Sequence, residues 1–106
     1  MTTVSKAASA TTGSIAIGAG ALASGETGYD GSSAVAIGEG ATASGGASIA
    51  FGEVAIVTGS KSAAFGSAST VTAKNSVALG PFSTVTASNS VALGSYSVAN
   101  RETRLQ

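Results

Sequence analysis

Carboxylates are the side chains of this 106-residue chain that best suit acid–base or metal chemistry, because it contains no histidine and no cysteine. Two of them, Glu39 and Glu53, are 14 residues apart, and the others are Glu26, Asp30 and Glu102. Paired carboxylates serve acid–base catalysis or bind a cation. The commonest general base and metal ligand is missing, and so is any thiolate. Unless the fold positions the two glutamates as a site, we expect no catalytic residue, no metal and no cofactor.

A repeated pentapeptide ending in glycine positions both glutamates, since each directly follows a closing glycine. The pentapeptide occurs six times, at residues 14–18, 34–38, 48–52, 62–66, 76–80 and 90–94. The last five copies are 14 residues apart, and removing residues 26–31 from the first gap restores that spacing. The positions equivalent to the glutamates hold Ala19, Ser67, Pro81 and Ser95. This variety indicates an exposed corner rather than a carboxylate site.

Each 14-residue unit contains two short alternating segments, which is typical of β-strands. In the first, Val77 and Leu79 face one way while Ser76 and Ala78 face the other. In the second, residues 83–87, the threonines share one side and Ser, Val and Ala share the opposite side. Gly or Asn, both tolerant of a left-handed backbone, closes many units. A helix is disfavoured because glycine returns in every unit. The closing residues are Gly25, Gly45, Gly59, Asn75 and Asn89.

The composition fits stacked coils better than a conventional globule. Ala, Ser and Gly supply 55 of the 106 residues, whereas Leu, Ile, Val and Phe supply only 21. Five basic residues balance five acidic ones, which leaves no cationic surplus for binding nucleic acid. A mean hydropathy of +0.38 argues against a solvated disordered tail. We therefore expect an all-β solenoid whose narrow interior holds small residues.

Two rows of larger apolar residues recur at the second and fourth positions of the pentapeptide, interrupted by Ala63. If small residues fill the coil, these rows must face a partner outside it; alternatively, they fill the interior themselves. Six coils at about 4.8 Å each make rows roughly 25–30 Å tall. The row members are Ile15, Ile17, Val35, Ile37, Ile49, Phe51, Phe65, Val77, Leu79, Val91 and Leu93.

Residues 75–83 and 89–97 read NSVALGPFS and NSVALGSYS, and they closely resemble the NSVAIGxxS repeat of YadA-like heads. Those heads belong to the trimeric autotransporter adhesins of Gram-negative bacteria. The resemblance covers about residues 14–100 and implies a left-handed parallel β-roll that assembles as a homotrimer through the two apolar rows. It also implies a location on the bacterial cell surface, with an outer-membrane anchor in a C-terminal region absent from this chain. The early coils depart from the repeat because they lack its asparagine.

The resemblance further implies non-enzymatic adhesion to host extracellular matrix or cell-surface proteins such as collagen, with no nucleic acid partner and no membrane contact by this segment. Exposed aromatic residues in corners and in the insertion are alternative contacts. A structural role competes for the repeat residues, since Asn turns a corner and Ser caps a coil. The expected ligand-binding residues are Asn75, Ser76, Ser83, Asn89, Ser90 and Ser97, with Phe82, Tyr96 and Tyr29 as the aromatic alternatives.

Two other functions fit parts of the pattern. A stalk segment with no ligand of its own would use the repeat only as a spacer. An ice-binding solenoid would use Thr70, Thr72, Thr84 and Thr86, although Leu22 and Ile56 interrupt that array in neighbouring coils.

The repeats also divide the chain. Residues 1–13 are expected to be an irregular N-terminal segment or a start added in cloning, and residues 14–100 the roll. Residues 101–106 are expected to begin a connection from head to neck that is cut short. Residues 26–31 should project from a corner as a loop without disturbing the first two coils.

Overall fold

Thirteen short strands form two parallel sheets in a computed structural model, which describes residues 8–11, 13–25 and 33–101. The three-residue strands are β2 (Ile15–Ile17), β4 (Val35–Ile37), β6 (Ile49–Phe51), β8 (Ala63–Phe65), β10 (Val77–Leu79) and β12 (Val91–Leu93). The two-residue strands are β1 (Ser9–Ala10), β3 (Leu22–Ala23), β5 (Thr42–Ala43), β7 (Ile56–Val57), β9 (Thr70–Val71), β11 (Thr84–Val85) and β13 (Val98–Ala99). No helix occurs within these ranges.

Strands of the same kind stack on one another in register, so the chain coils between a long-strand sheet of six strands and a short-strand sheet of seven. Val77 pairs with Val91 on one side and with Ala63 on the other, one 14-residue unit away in each direction. The all-β parallel solenoid expected from the repeat is thereby confirmed. Ile15 pairs with Val35 across the longer first gap, so the insertion leaves the stacking of the first two coils intact.

Only small side chains occupy the space between the two sheets. The middle residue of each long strand and the second residue of most short strands point inward. A buried alanine methyl supplies only roughly 1 kcal/mol of apolar burial, so backbone hydrogen bonds between coils carry much of the cohesion. The fully buried members of this set are Ala23, Ala36, Ala43, Ala50, Ala64, Ala78, Val57, Val71 and Val85.

Both apolar rows lie on the outer surface of the long-strand sheet, because their residues flank the inward-pointing alanines. Val77 is half-buried and Leu79 is exposed, while Ala78 between them is fully buried. Of the two arrangements that the sequence left open, the structure has the outward-facing one.

Buried serines join the later coils of the roll to one another. The Ser76 hydroxyl lies 2.9 Å from the Lys74 carbonyl oxygen of its own coil and 3.0 Å from the Ala87 carbonyl oxygen of the following coil. The same oxygen accepts a hydrogen bond from the Ser90 amide at 3.2 Å. Ser62 makes the equivalent contacts one coil earlier. Throughout the described ranges, no buried side-chain nitrogen or oxygen lacks a hydrogen-bond partner.

Each coil turns at two corners, which we name by their typical residues. The glycine corner, residues 80–83 and their equivalents, follows each long strand. The asparagine corner, residues 87–90 and their equivalents, precedes the next long strand. Asn75 and Asn89 have the left-handed backbone that was expected, with φ of 55° and 57°.

Gly45 and Gly59, two of the glycines that close the 14-residue units, do not have the left-handed backbone that the sequence analysis predicted. At those corners the left-handed residues are Ala47 and Lys61, two positions after Gly45 and Gly59. Glycine is required at these two positions because the next coil leaves no room for a Cβ. A Cβ on Gly59 would lie 1.9 Å from the Ala73 carbonyl oxygen of the next coil, and one on Gly45 would be similarly blocked.

The ends of the roll differ slightly from the division expected from the repeats. Strand β1 lies inside the segment 1–13 that was expected to be irregular, because the edge of β3 offers free backbone groups. The Ser9 amide donates to the Ala21 carbonyl at 2.8 Å. Residues 26–32 and 102–106 lie outside the described residues, so the shape of the expected loop does too. Within the described chain, no helix has the length and apolar character needed to cross a membrane.

Candidate interaction surfaces of the roll

The outer surface of the long-strand sheet, which we call the apolar face, presents all eleven residues of the two rows. Exposure ranges from half-buried residues such as Val35 and Ile49 to Leu93, which is 74% exposed. The rings of Phe51 and Phe65 stack on adjacent coils with their centroids 5.8 Å apart. Monomeric proteins rarely expose such a continuous apolar surface, and a surface of this kind marks an interaction site.

The opposite surface, formed by the short-strand sheet, is dominated by hydroxyl groups. Thr70 and Thr84 lie side by side on it, as the sequence pattern indicated. Leu22 and Ile56 interrupt their column on other coils. A second column just beyond the strands carries one hydroxyl in each of five successive coils. The sequence analysis named only Thr72 and Thr86 of this column, although its 14-residue spacing was visible from residue 44 onward. Its members are Ser24, Ser44, Thr58, Thr72 and Thr86.

Two aromatic residues project from adjacent glycine corners. The rings of Phe82 and Tyr96 are almost parallel, with 5° between their planes and 5.0 Å between their centroids. Both residues have a left-handed backbone, with φ of 61° and 62°. Phe82 is 49% exposed and Tyr96 70% exposed, so this pair offers an accessible aromatic contact.

The repeat residues expected to bind a ligand fall into two groups. Asn75 and Asn89 are exposed at asparagine corners, where their backbone amides donate to carbonyls of the preceding coil. Ser76, Ser83 and Ser90 are buried, and their hydroxyls donate to backbone carbonyls. A hydroxyl enclosed in this way cannot touch a ligand at the surface, so we do not retain direct contact for these three serines.

Two further expected contacts stand apart from these groups. The Ser97 hydroxyl is half-buried and donates to the Gly94 carbonyl at 2.7 Å. Tyr29 belongs to the insertion and lies outside the described residues.

The two glutamates considered as a candidate carboxylate pair lie at glycine corners one coil apart. Glu39 and Glu53 are both exposed. No group of three His, Cys, Asp or Glu side chains able to hold a metal ion occurs in the part of the chain that the structure describes. Glu39 and Glu53 are therefore solvated corner residues.

Comparison with known proteins agrees with the repeat. A family model described as the YadA head domain repeat, in two copies, matches residues 12–27, 30–52, 58–83 and 72–97, which together are well over half of the chain. No curated protein matches the chain significantly. The family consists of surface-exposed autotransporter adhesins and is not an enzyme family. The chain belongs to the YadA head domain family and is a segment of an adhesin.

Proposed function

We propose that this chain is a non-enzymatic head segment of a trimeric bacterial adhesin, which binds host extracellular matrix or cell-surface proteins such as collagen. The apolar face is the observation that supports the trimer. Its two rows extend along the coils, and no other part of the described chain packs against them. Two further copies of the same chain would bury these rows around one axis. The adhesin would stand on the bacterial surface, anchored to the outer membrane by a region outside this chain.

Adhesion would use the surfaces that such a trimer leaves in solvent. The accessible candidate is the stacked pair Phe82 and Tyr96. Asn75 and Asn89 are exposed in the single chain, but they lie on the asparagine edge of the roll, beside the boundary between protomers. Individually weak contacts of this kind are repeated over several coils and three chains. Simultaneous engagement of many such contacts increases the overall affinity without any single strong site.

A spacer segment with no ligand of its own is the second candidate function. The enclosed serines favour it, because Ser76 and Ser90 are fully engaged in joining coils. These residues maintain the roll whether or not a ligand exists.

Sedimentation velocity combined with solid-phase binding to collagen and other matrix proteins tests both candidates. We expect a trimer with saturable binding that weakens in the Phe82→Ala/Tyr96→Ala variant and is retained in the matched Thr70→Ala/Thr84→Ala variant. A trimer that binds none of the matrix proteins would support the spacer. A monomer that slows ice growth would instead support the threonine array as an ice-binding surface.

A further inference from the structure

Charges of opposite sign lie along the two edges of the apolar face. Glu39 and Glu53 are at glycine corners, whereas Lys61 and Lys74 are at asparagine corners, and all four side chains are exposed. Within one chain the two edges are separated by the width of the roll. Residues 55–59 cross that width between Glu53 and Lys61, roughly 13 Å at about 3.3 Å per residue.

The direction of the long strands determines which edges meet in a ring of copies. Every long strand runs from an asparagine corner to a glycine corner, because both sheets are parallel throughout. If three copies turn their apolar faces toward one axis, the glycine edge of each copy therefore meets the asparagine edge of the next. This step rests on the trimer proposed above, and cyclic symmetry then holds all copies at one height.

Heights along the axis select the charged groups that face each other. One coil advances about 4.8 Å over its 14 residues, so Lys61, eight residues after Glu53, stands only about 3 Å further along the axis. Both side chains are long enough to span that offset. By the same arithmetic, the asparagine-corner positions nearest in height to Glu39 are Ser33 and Ala47, and neither residue is charged.

The remaining charged residues in the described ranges have uncharged counterparts. Lys74 lies between Ser67 and Pro81 in height, seven residues from each, and Arg101 lies nearest to Ser95. Among the described residues, Glu53 and Lys61 are therefore the pair of opposite charges at matched height. We propose that Glu53 of each protomer forms an ion pair with Lys61 of the partner subunit, once at each of the three seams.

Carbodiimide cross-linking of the unmodified chain tests the pair directly, because this reagent joins a carboxylate and an amine only when they are in contact. Trimers would be refolded from an equal mixture of ¹⁴N- and ¹⁵N-labelled chains, cross-linked, digested and analysed by mass spectrometry. The expected product is an amide between Glu53 and Lys61 in peptides that combine the two isotopes. A product found only in peptides of a single isotope would overturn the proposal.

Charge reversal supplies a second, independent readout by sedimentation at several protein and salt concentrations. Glu53→Lys should raise the concentration at which half the trimer dissociates by about tenfold or more at low salt, with a smaller effect at high salt. Lys61→Glu should do the same, and combining both should restore most of the loss. The matched control Glu39→Lys places the same charge change nearest to the uncharged Ser33 and Ala47 and should have little effect.

The outcomes separate the ion pair from the assembly. If the unmodified chain sediments as a trimer but neither reversal weakens it and no mixed cross-link forms, the ion pair is wrong and the trimer stands. If the unmodified chain sediments as a monomer at every concentration, the trimer is wrong and the pair fails with it.

Discussion

Gly80 lies directly beneath Gly94 of the next coil, so closely that a Cβ built on Gly80 would be 2.6 Å from the Gly94 carbonyl carbon. Gly80 also has a φ of 131°, which L side chains rarely adopt. Glycine is therefore required at this position for two reasons. The backbone of the next coil leaves no room for a Cβ, and the φ angle disfavours any residue with a side chain. The glycine that closes a pentapeptide is thus required wherever another coil stacks on it at the sheet spacing.

We predict that Gly80→Ala severely destabilises the roll, because the new methyl group would overlap the backbone of the next coil. Gly94→Ala is the matched control. Gly94 has a similar φ of 114°, but nothing lies within 4 Å of the position of its Cβ. The control should lose only about 1–3 kcal/mol of unfolding free energy through backbone strain. Urea denaturation at one protein concentration measures both, and equal losses would show that strain alone explains the repeat glycine.

Ser76→Ala should destabilise the chain by about 1–3 kcal/mol, because it removes the acceptor of the Ser90 amide and the donor to the Ala87 carbonyl. Ser67→Ala, at an exposed corner, should change the unfolding free energy by less than about 0.5 kcal/mol. Chemical denaturation again provides the measurement. A neutral Ser76→Ala variant would show that the serine ladder does not hold the coils together.

Val54→Asn should stabilise the chain by about 1 kcal/mol, because Val54 has the left-handed φ of 58° that asparagine tolerates better than a β-branched residue. Its side chain is 48% exposed, so little apolar burial is lost. The control Ala68→Asn, with φ of 59° at the equivalent corner, should gain less. Thermal unfolding at fixed protein concentration compares the two. A lower unfolding temperature for Val54→Asn would contradict the strain argument.

Leu79→Asp combined with Leu93→Asp should convert the proposed trimer into monomers. Both side chains lie on the apolar face, where three carboxylates per layer would be buried near one axis at high desolvation cost. Thr70→Asp with Thr84→Asp adds the same charge to the opposite surface and should leave the trimer intact. Sedimentation velocity gives the masses, and circular dichroism checks that each variant keeps its strands. A stable trimer of the leucine variant would mean that this face does not meet the partner.

Deleting residues 26–31 should leave the unfolding temperature nearly unchanged. The pairings Ile15 with Val35 and Leu22 with Thr42 already join the coils on either side of the insertion in register. Long insertions at a surface corner cost little, and the deletion restores the 14-residue spacing. Differential scanning calorimetry measures the change. A drop of more than about 5 °C, which corresponds to roughly 1 kcal/mol for a domain of this size, would show that the segment packs as part of the roll.

The repeat alone was sufficient to predict the strands, their parallel stacking and their register. In a stack of equal coils, position n must pair with position n + 14, so Val77 meets Val91 and Thr70 meets Thr84 without further information. Corner geometry was less predictable. Lys61 and Ala47 have left-handed backbones although neither residue type favours them, because the path between two stacked sheets determines the turn.

Alternation along residues 76–80 also indicated which side chains share a face, but not which face is inside. Tertiary structure decided that, because the narrow space between the sheets admits Ala78 and Val85 and excludes Leu79. It decided the role of Ser76 in the same way. A serine in a sequence fits a surface as well as an interior, and only the backbone of the next coil supplies the Ala87 carbonyl that makes its burial stable.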